Sequence, residues 1–144
     1  MPSYKKSIRF CEYYLKANIY GITYNIQGFL NVNYKYDKEE DSLDIVCRIE
    51  FKRGRLLLSN FGEFISKHIL PKNICHPSDI FSSPNGFDIY FFNIKSLDDF
   101  LNMLYKFYSE NKCIMVKKPY EMVISVKIVK KPRDIISQIV LDIL

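Results

Sequence analysis

The stretch YGITYNIQGFLNVNYKYDKEEDSLDIVCRIEF, residues 20–51, decides how this chain folds. Between 20 and 36 the even-numbered positions are apolar or aromatic apart from Gly28, and the odd-numbered positions are mostly polar. After a charged turn at 37–42, the same alternation runs from 43 to 51. A period of two is typical of a strand with one buried face. These residues therefore predict an antiparallel hairpin, with a bulge at Gly28.

The apolar spacing changes after this hairpin. Apolar residues recur at helical intervals over 57–69 until Pro71 ends the pattern, which predicts a helix. Residues 87–92 carry one charge and predict a strand in the centre of the sheet. Ser96 and Asp99 resemble a capping box at the start of an amphipathic helix.

The last third of the chain predicts two more strands, over 112–116 and 122–129, followed by a short helix that begins at Pro132. Residues 7–15 fit either a strand or a helix. The order is three β-β-α units with short connections, which favours an α+β fold. We expect a mixed or antiparallel sheet with helices packed on one face, in a single domain covering 1–144.

Composition limits the class of protein. The chain is 48% hydrophobic and 15% aromatic, which is too apolar for a disordered segment. No apolar run reaches the roughly 18 residues that a membrane-spanning helix needs, and no signal-peptide segment follows Met1. The sequence therefore predicts a soluble, cytoplasmic protein with no membrane partner.

Residue types that carry catalysis or bind metals are present but not grouped. The cysteines form no Cys-x-x-Cys pair of the kind that structural zinc sites use, and His68 lies on the apolar stripe of its helix, where packing is the expected role. Cys75 and His76 are neighbours in sequence, and neighbouring side chains in an extended chain point apart. We therefore expect no metal site, no cofactor and no catalytic residue. The cysteines are Cys11, Cys47, Cys75 and Cys113.

The position of the charges is more informative than the net charge of +5. Residues 112–133 hold seven basic residues against Glu121 alone, a net +6, whereas the other 122 residues carry 14 basic and 15 acidic groups. If the two strands of this segment pair, their charges should form a single positive surface, extended by residues 52–55. The candidate RNA-binding residues are Lys52, Arg53, Arg55, Lys112, Lys117, Lys118, Lys127, Lys130, Lys131 and Arg133.

Two functions remain open at this point. A basic surface of this kind neutralises phosphates, which favours a non-enzymatic protein that binds RNA, although a lysine-rich edge strand that prevents aggregation has the same composition. The alternative is an interaction subunit of a parasite or viral complex. It would dock a protein partner through the apolar helix Ile135–Leu144, unless that helix closes the core.

Residues 43–130 resemble the central domain of the large-subunit ribosome export adaptor family. The matching motif is GFDIYF, residues 86–91, a strand followed at once by the amphipathic helix from Ser96. The resemblance implies binding of ribosomal RNA near the tRNA sites of the large subunit, as a hibernation or assembly factor would bind. Members of that family begin with zinc-binding Cys-x-x-Cys pairs and are several times longer, so the export function itself does not carry over.

Overall fold

The computed structural model describes residues 3–51, 55–110, 113–116 and 120–144, with side chains for 5–51, 60–108 and 123–144. This part of the chain forms seven strands and three helices. In chain order they are β1 Ser3–Ile19, β2 Ile22–Asp37, β3 Ser42–Phe51, α1 Arg55–Phe64, β4 Ile80–Ser83, β5 Gly86–Phe91, α2 Ile94–Glu110, β6 Cys113–Val116, β7 Tyr120–Ile128 and α3 Pro132–Ile143.

All seven strands join one sheet in the order β4-β5-β3-β2-β1-β7-β6, and every pairing is antiparallel. The three helices contribute to a core on one face of this sheet, which confirms the α+β prediction. The other face, called the open face below, is left uncovered by the helices. None of the helices described is both long enough and apolar enough to cross a lipid bilayer.

The first strand settles the ambiguity at residues 7–15. Strand β1 is 17 residues long, and its pairing with β2 shifts between Arg9 and Cys11. Because of this bulge Phe10 and Cys11, although adjacent, are both buried. The break in alternation is why the sequence does not distinguish a strand from a helix here. The bulge expected at Gly28 is not found, since β2 keeps its register there.

The helices begin and end for local reasons. The helix predicted over 57–69 is α-helical only as far as Phe64 and then widens into a π-helical turn over 65–69. Helix α2 begins before Ser96, because the Asn93 side chain accepts the Ser96 N–H at 2.8 Å. The capping box predicted at Ser96 was therefore wrong.

The last helix is part of the core. Ile135 and Ile139 of α3 are fully buried, and Asp142 accepts a hydrogen bond from the Tyr34 hydroxyl of β2. The Asp142 carboxylate also lies 3.0 Å from the ammonium group of Lys6 in β1. Helix α3 is thus held to the two central strands of the sheet by apolar packing and by a charged network.

Candidate nucleic-acid interface

Four of the ten predicted RNA-binding residues have described side chains, and all four are exposed. Lys127 lies near the end of β7, Lys130 and Lys131 form the connection to α3, and Arg133 lies in the first turn of that helix. Arg55 begins α1, but its side chain is outside the described part. Five more of the ten lie outside the described residues altogether: Lys52, Arg53, Lys112, Lys117 and Lys118.

The connection from β7 to α3 is hydrogen-bonded to the bulge of β1. The carbonyl oxygen of Phe10 accepts the N–H of Val129 at 2.8 Å and that of Lys130 at 3.3 Å. This places the backbone of the exposed residue Arg9, more than a hundred positions earlier in the chain, next to the backbone of Lys130. Three segments therefore meet here, and we call their cations the basic corner: Arg9, Lys127, Lys130, Lys131 and Arg133.

Two cations of the basic corner are bonded to neutral groups. Lys130 donates to the Gln138 side chain at 3.1 Å, and Arg9 donates to Asn31 at 3.0 Å. Among the described residues no carboxylate forms a salt bridge with any of the five, whereas Arg48 elsewhere on the sheet is bonded to Asp88. The corner therefore keeps its positive charge.

Helix α3 adds a second source of positive potential at the same place. No side chain caps its N-terminus, at Lys131, and Pro132 occupies the first turn. The partial positive charge of a helix N-terminus favours anions. Asp134 in this turn and Glu12, which lies opposite Lys127, are acidic neighbours, but neither forms a salt bridge with a cation of the corner.

The strand termini that flank 117–119 lie far from the basic corner. Val116 pairs with Met122, so these two strands meet next to residues 117–119, whereas Lys130 follows the other end of β7. That strand has nine residues and is therefore about 27 Å long. The basic corner is at one end of β7, and the strand termini that flank 117–119 are at the other.

A groove of about 770 Å³ lies on the open face next to the basic corner. Its centre is Phe29 of β2, which stands between Glu12 of β1 and Glu50 of β3 in the pairing of the strands. The guanidinium carbon of Arg9 lies 4.1 Å from the centre of the Phe29 ring. Sequence reasoning missed this groove because its residues converge only once the strand register is known.

The side chains considered for catalysis make the following contacts. The ring of His68 packs against Phe64 and Phe107, with ring centres 5.6 and 5.0 Å apart. Burial raises the pKa of the Cys75 thiol to about 11, so the thiol is protonated at neutral pH. The Nδ1 atom of His76 lies 2.6 Å from the Ser78 hydroxyl oxygen. Within the described residues no three histidine, cysteine or acidic side chains are grouped as metal ligands.

No protein-family model, curated protein or solved structure matches this chain.

Proposed function

We propose that this chain is a non-enzymatic RNA-binding protein that holds the phosphate backbone at the basic corner. One observation carries the proposal: five cations from three segments lie at the junction of β1, β7 and α3, and none of them forms a salt bridge in the described part of the chain. Phosphate groups supply the missing counter-charge, and their binding releases counterions from the RNA.

The resemblance of residues 43–130 to the ribosome export adaptors suggests which RNA is bound. We propose ribosomal RNA of the large subunit, with occlusion of tRNA sites as the consequence, as in a hibernation or assembly factor. Such a protein would work in the cytoplasm. The exposed corner suits a factor that binds reversibly to a preformed RNA surface.

Docking of a protein on Ile135–Leu144 has less support. Ile135 and Ile139 are in the core, and only Val140, Leu141 and Leu144 of this helix are exposed apolar residues. Deletion of the helix would therefore open the core instead of removing a separable docking segment. Any test of that alternative has to use substitutions at the exposed positions.

Cosedimentation with purified large ribosomal subunits tests the proposal. We expect binding at low salt that weakens steeply as salt rises. The double variant Lys130→Glu/Lys131→Glu should lose most of the binding and remain folded, because acidic groups near a helix N-terminus are favourable. The control Lys16→Glu/Lys72→Glu makes the same change of charge at exposed positions outside the corner and should bind like the wild type.

Failure of the wild-type chain to sediment with the subunits at either salt concentration would exclude the ribosomal form of the proposal. Equal loss of binding in both double variants would contradict the assignment to the basic corner.

A further inference from the structure

We propose, as an extension of the RNA-binding function above and resting on it, that the groove on the open face binds an unpaired guanine of single-stranded RNA. The Glu50 carboxylate would accept hydrogen bonds from the Watson–Crick edge of the base. The Arg9 guanidinium, which lies over the Phe29 ring, would support the ring of the base.

The size and walls of the groove come from two close contacts between strands. A Cβ atom at Gly86 would lie 1.8 Å from the Ile49 carbonyl oxygen. Only glycine at this position therefore lets β5 approach β3 so closely. The Phe51 N–H donates to the Asn85 carbonyl at 2.7 Å, which fixes the β4–β5 turn as one wall. A volume of about 770 Å³ is in the range of small-molecule sites, roughly 300–1,000 Å³.

The floor of the groove offers a platform for stacking. The Arg9 guanidinium lies over the Phe29 ring, and its Nε donates to Asn31, so both the position and the plane of the group are restrained. Unstacked RNA bases commonly pack on aromatic rings or on guanidinium planes. Tyr14, which also lines the groove, supplies a second aromatic surface.

The carboxylates of the groove differ in their partners. Glu12 accepts a hydrogen bond from the Tyr14 hydroxyl at 3.1 Å, and Asp88 is bonded to Arg48. Glu50 is exposed, and among the described residues no donor is bonded to its carboxylate. A ligand that supplies N–H donors would complete this site.

The chemistry of the bases selects guanine. An ionised carboxylate only accepts hydrogen bonds, and guanine places the N1–H and N2–H donors side by side, matching its two oxygens. Adenine and cytosine put a ring acceptor beside the amino group, and uracil flanks its single N–H with two carbonyl groups. Those arrangements bring an acceptor against the carboxylate.

The groove is continuous with the basic corner. Lys127 lies opposite Glu12 on the open face, and Arg9 belongs to both features. A strand of RNA whose phosphates contact the corner can therefore place a base against the Arg9 guanidinium that lies over Phe29. Contacts of the corner with the RNA phosphates would supply affinity, and contacts of the groove with the base would supply sequence preference.

Fluorescence anisotropy with three labelled oligoribonucleotides of about ten nucleotides tests this inference. The first is oligouridylate, the second has one central guanosine, and the third has inosine there, which lacks the N2 amino group. We expect the guanosine probe to bind about tenfold more tightly than oligouridylate, and the inosine probe to lie between them.

The variant Glu50→Gln should abolish the preference for guanosine and leave binding of oligouridylate at least as tight, because a negative charge near the phosphates has been removed. Glu40→Gln, at an exposed position in the β2–β3 turn, makes the same charge change and should keep the preference. Equal binding of all three probes by the wild type would overturn the guanine site and leave the RNA-binding proposal standing. If no probe binds even at low salt, both proposals fail.

Discussion

The hydroxyl group of Tyr13 is the only buried side-chain oxygen or nitrogen among the described residues that has no hydrogen-bond partner. Its ring is well packed, with edge contacts to Phe51 at 5.2 Å and to Tyr108 at 5.5 Å. Burial raises the pKa of this hydroxyl well above its usual value. The residue thus contributes packing through its ring, while its oxygen is desolvated next to the Cys11 thiol and the Tyr108 hydroxyl.

Replacing Tyr13 with Phe should raise the free energy of unfolding by about 1 kcal/mol, since it removes the unsatisfied oxygen and keeps the ring. Urea denaturation followed by circular dichroism measures the change. The matched control is Tyr108→Phe in the same cluster, because that hydroxyl donates to Asn60 at 3.3 Å and its loss should destabilise the protein. A lower stability for Tyr13→Phe would show that its hydroxyl does have a partner.

Individual elements were predicted well where their patterns are local. The hairpin over 20–51 and the helix from Pro132 depend on spacings within one segment, and both are confirmed. The bulge in β1 was missed because it depends on pairing with β2, and the cap of α2 was missed because Asn93 precedes the apolar repeat. Neither feature is visible in the periodicity of a single segment.

The cap of α2 gives a direct comparison of two residues. Asn93→Ala should lower the free energy of unfolding by about 1 kcal/mol, because the Ser96 N–H loses its acceptor. Ser96→Ala should change stability by less than half as much, since that side chain is not the cap. Thermal or urea unfolding of both variants decides between the two positions, and the reverse order of effects would restore Ser96 as the cap.

The attachment of α3 to the sheet should depend on pH. Hydrogen bonds from Tyr34 and Lys6 hold the pKa of Asp142 below its usual 3.8. A lowered pKa in the folded state means that the contribution of this group is complete above the unfolded value and is lost as pH falls through the folded value. Stability should therefore decline as the pH drops below about 4.

The variant Asp142→Asn should be less stable at neutral pH and should lose part of this acid dependence. Unfolding measured between pH 7 and pH 2.5 provides the comparison, with Glu39→Gln in the exposed β2–β3 turn as the control that keeps the wild-type profile. An unchanged profile in Asp142→Asn would remove this carboxylate from the account of how α3 is held.

At the scale of the whole molecule, the fold class was predictable and the composition of the basic corner only partly so. The concentration of lysines in 112–133 indicated the region, and the β-β-α order indicated the sheet with helices on one face. Arg9 could not have been added from the sequence, because only the strand order β2-β1-β7 brings it next to Lys130. The groove around Phe29 depends in the same way on register across three strands.

The central claim is that the basic corner neutralises RNA phosphates, and the salt dependence of RNA binding tests it most directly. The logarithm of the binding constant for oligouridylate should fall linearly with the logarithm of salt concentration, by about 0.7 per phosphate contact. A variant with glutamine in place of four cations of the corner should have a slope smaller by up to about 3. The four are Lys127, Lys130, Lys131 and Arg133. A slope identical to that of the wild type would contradict the assignment of RNA binding to this corner.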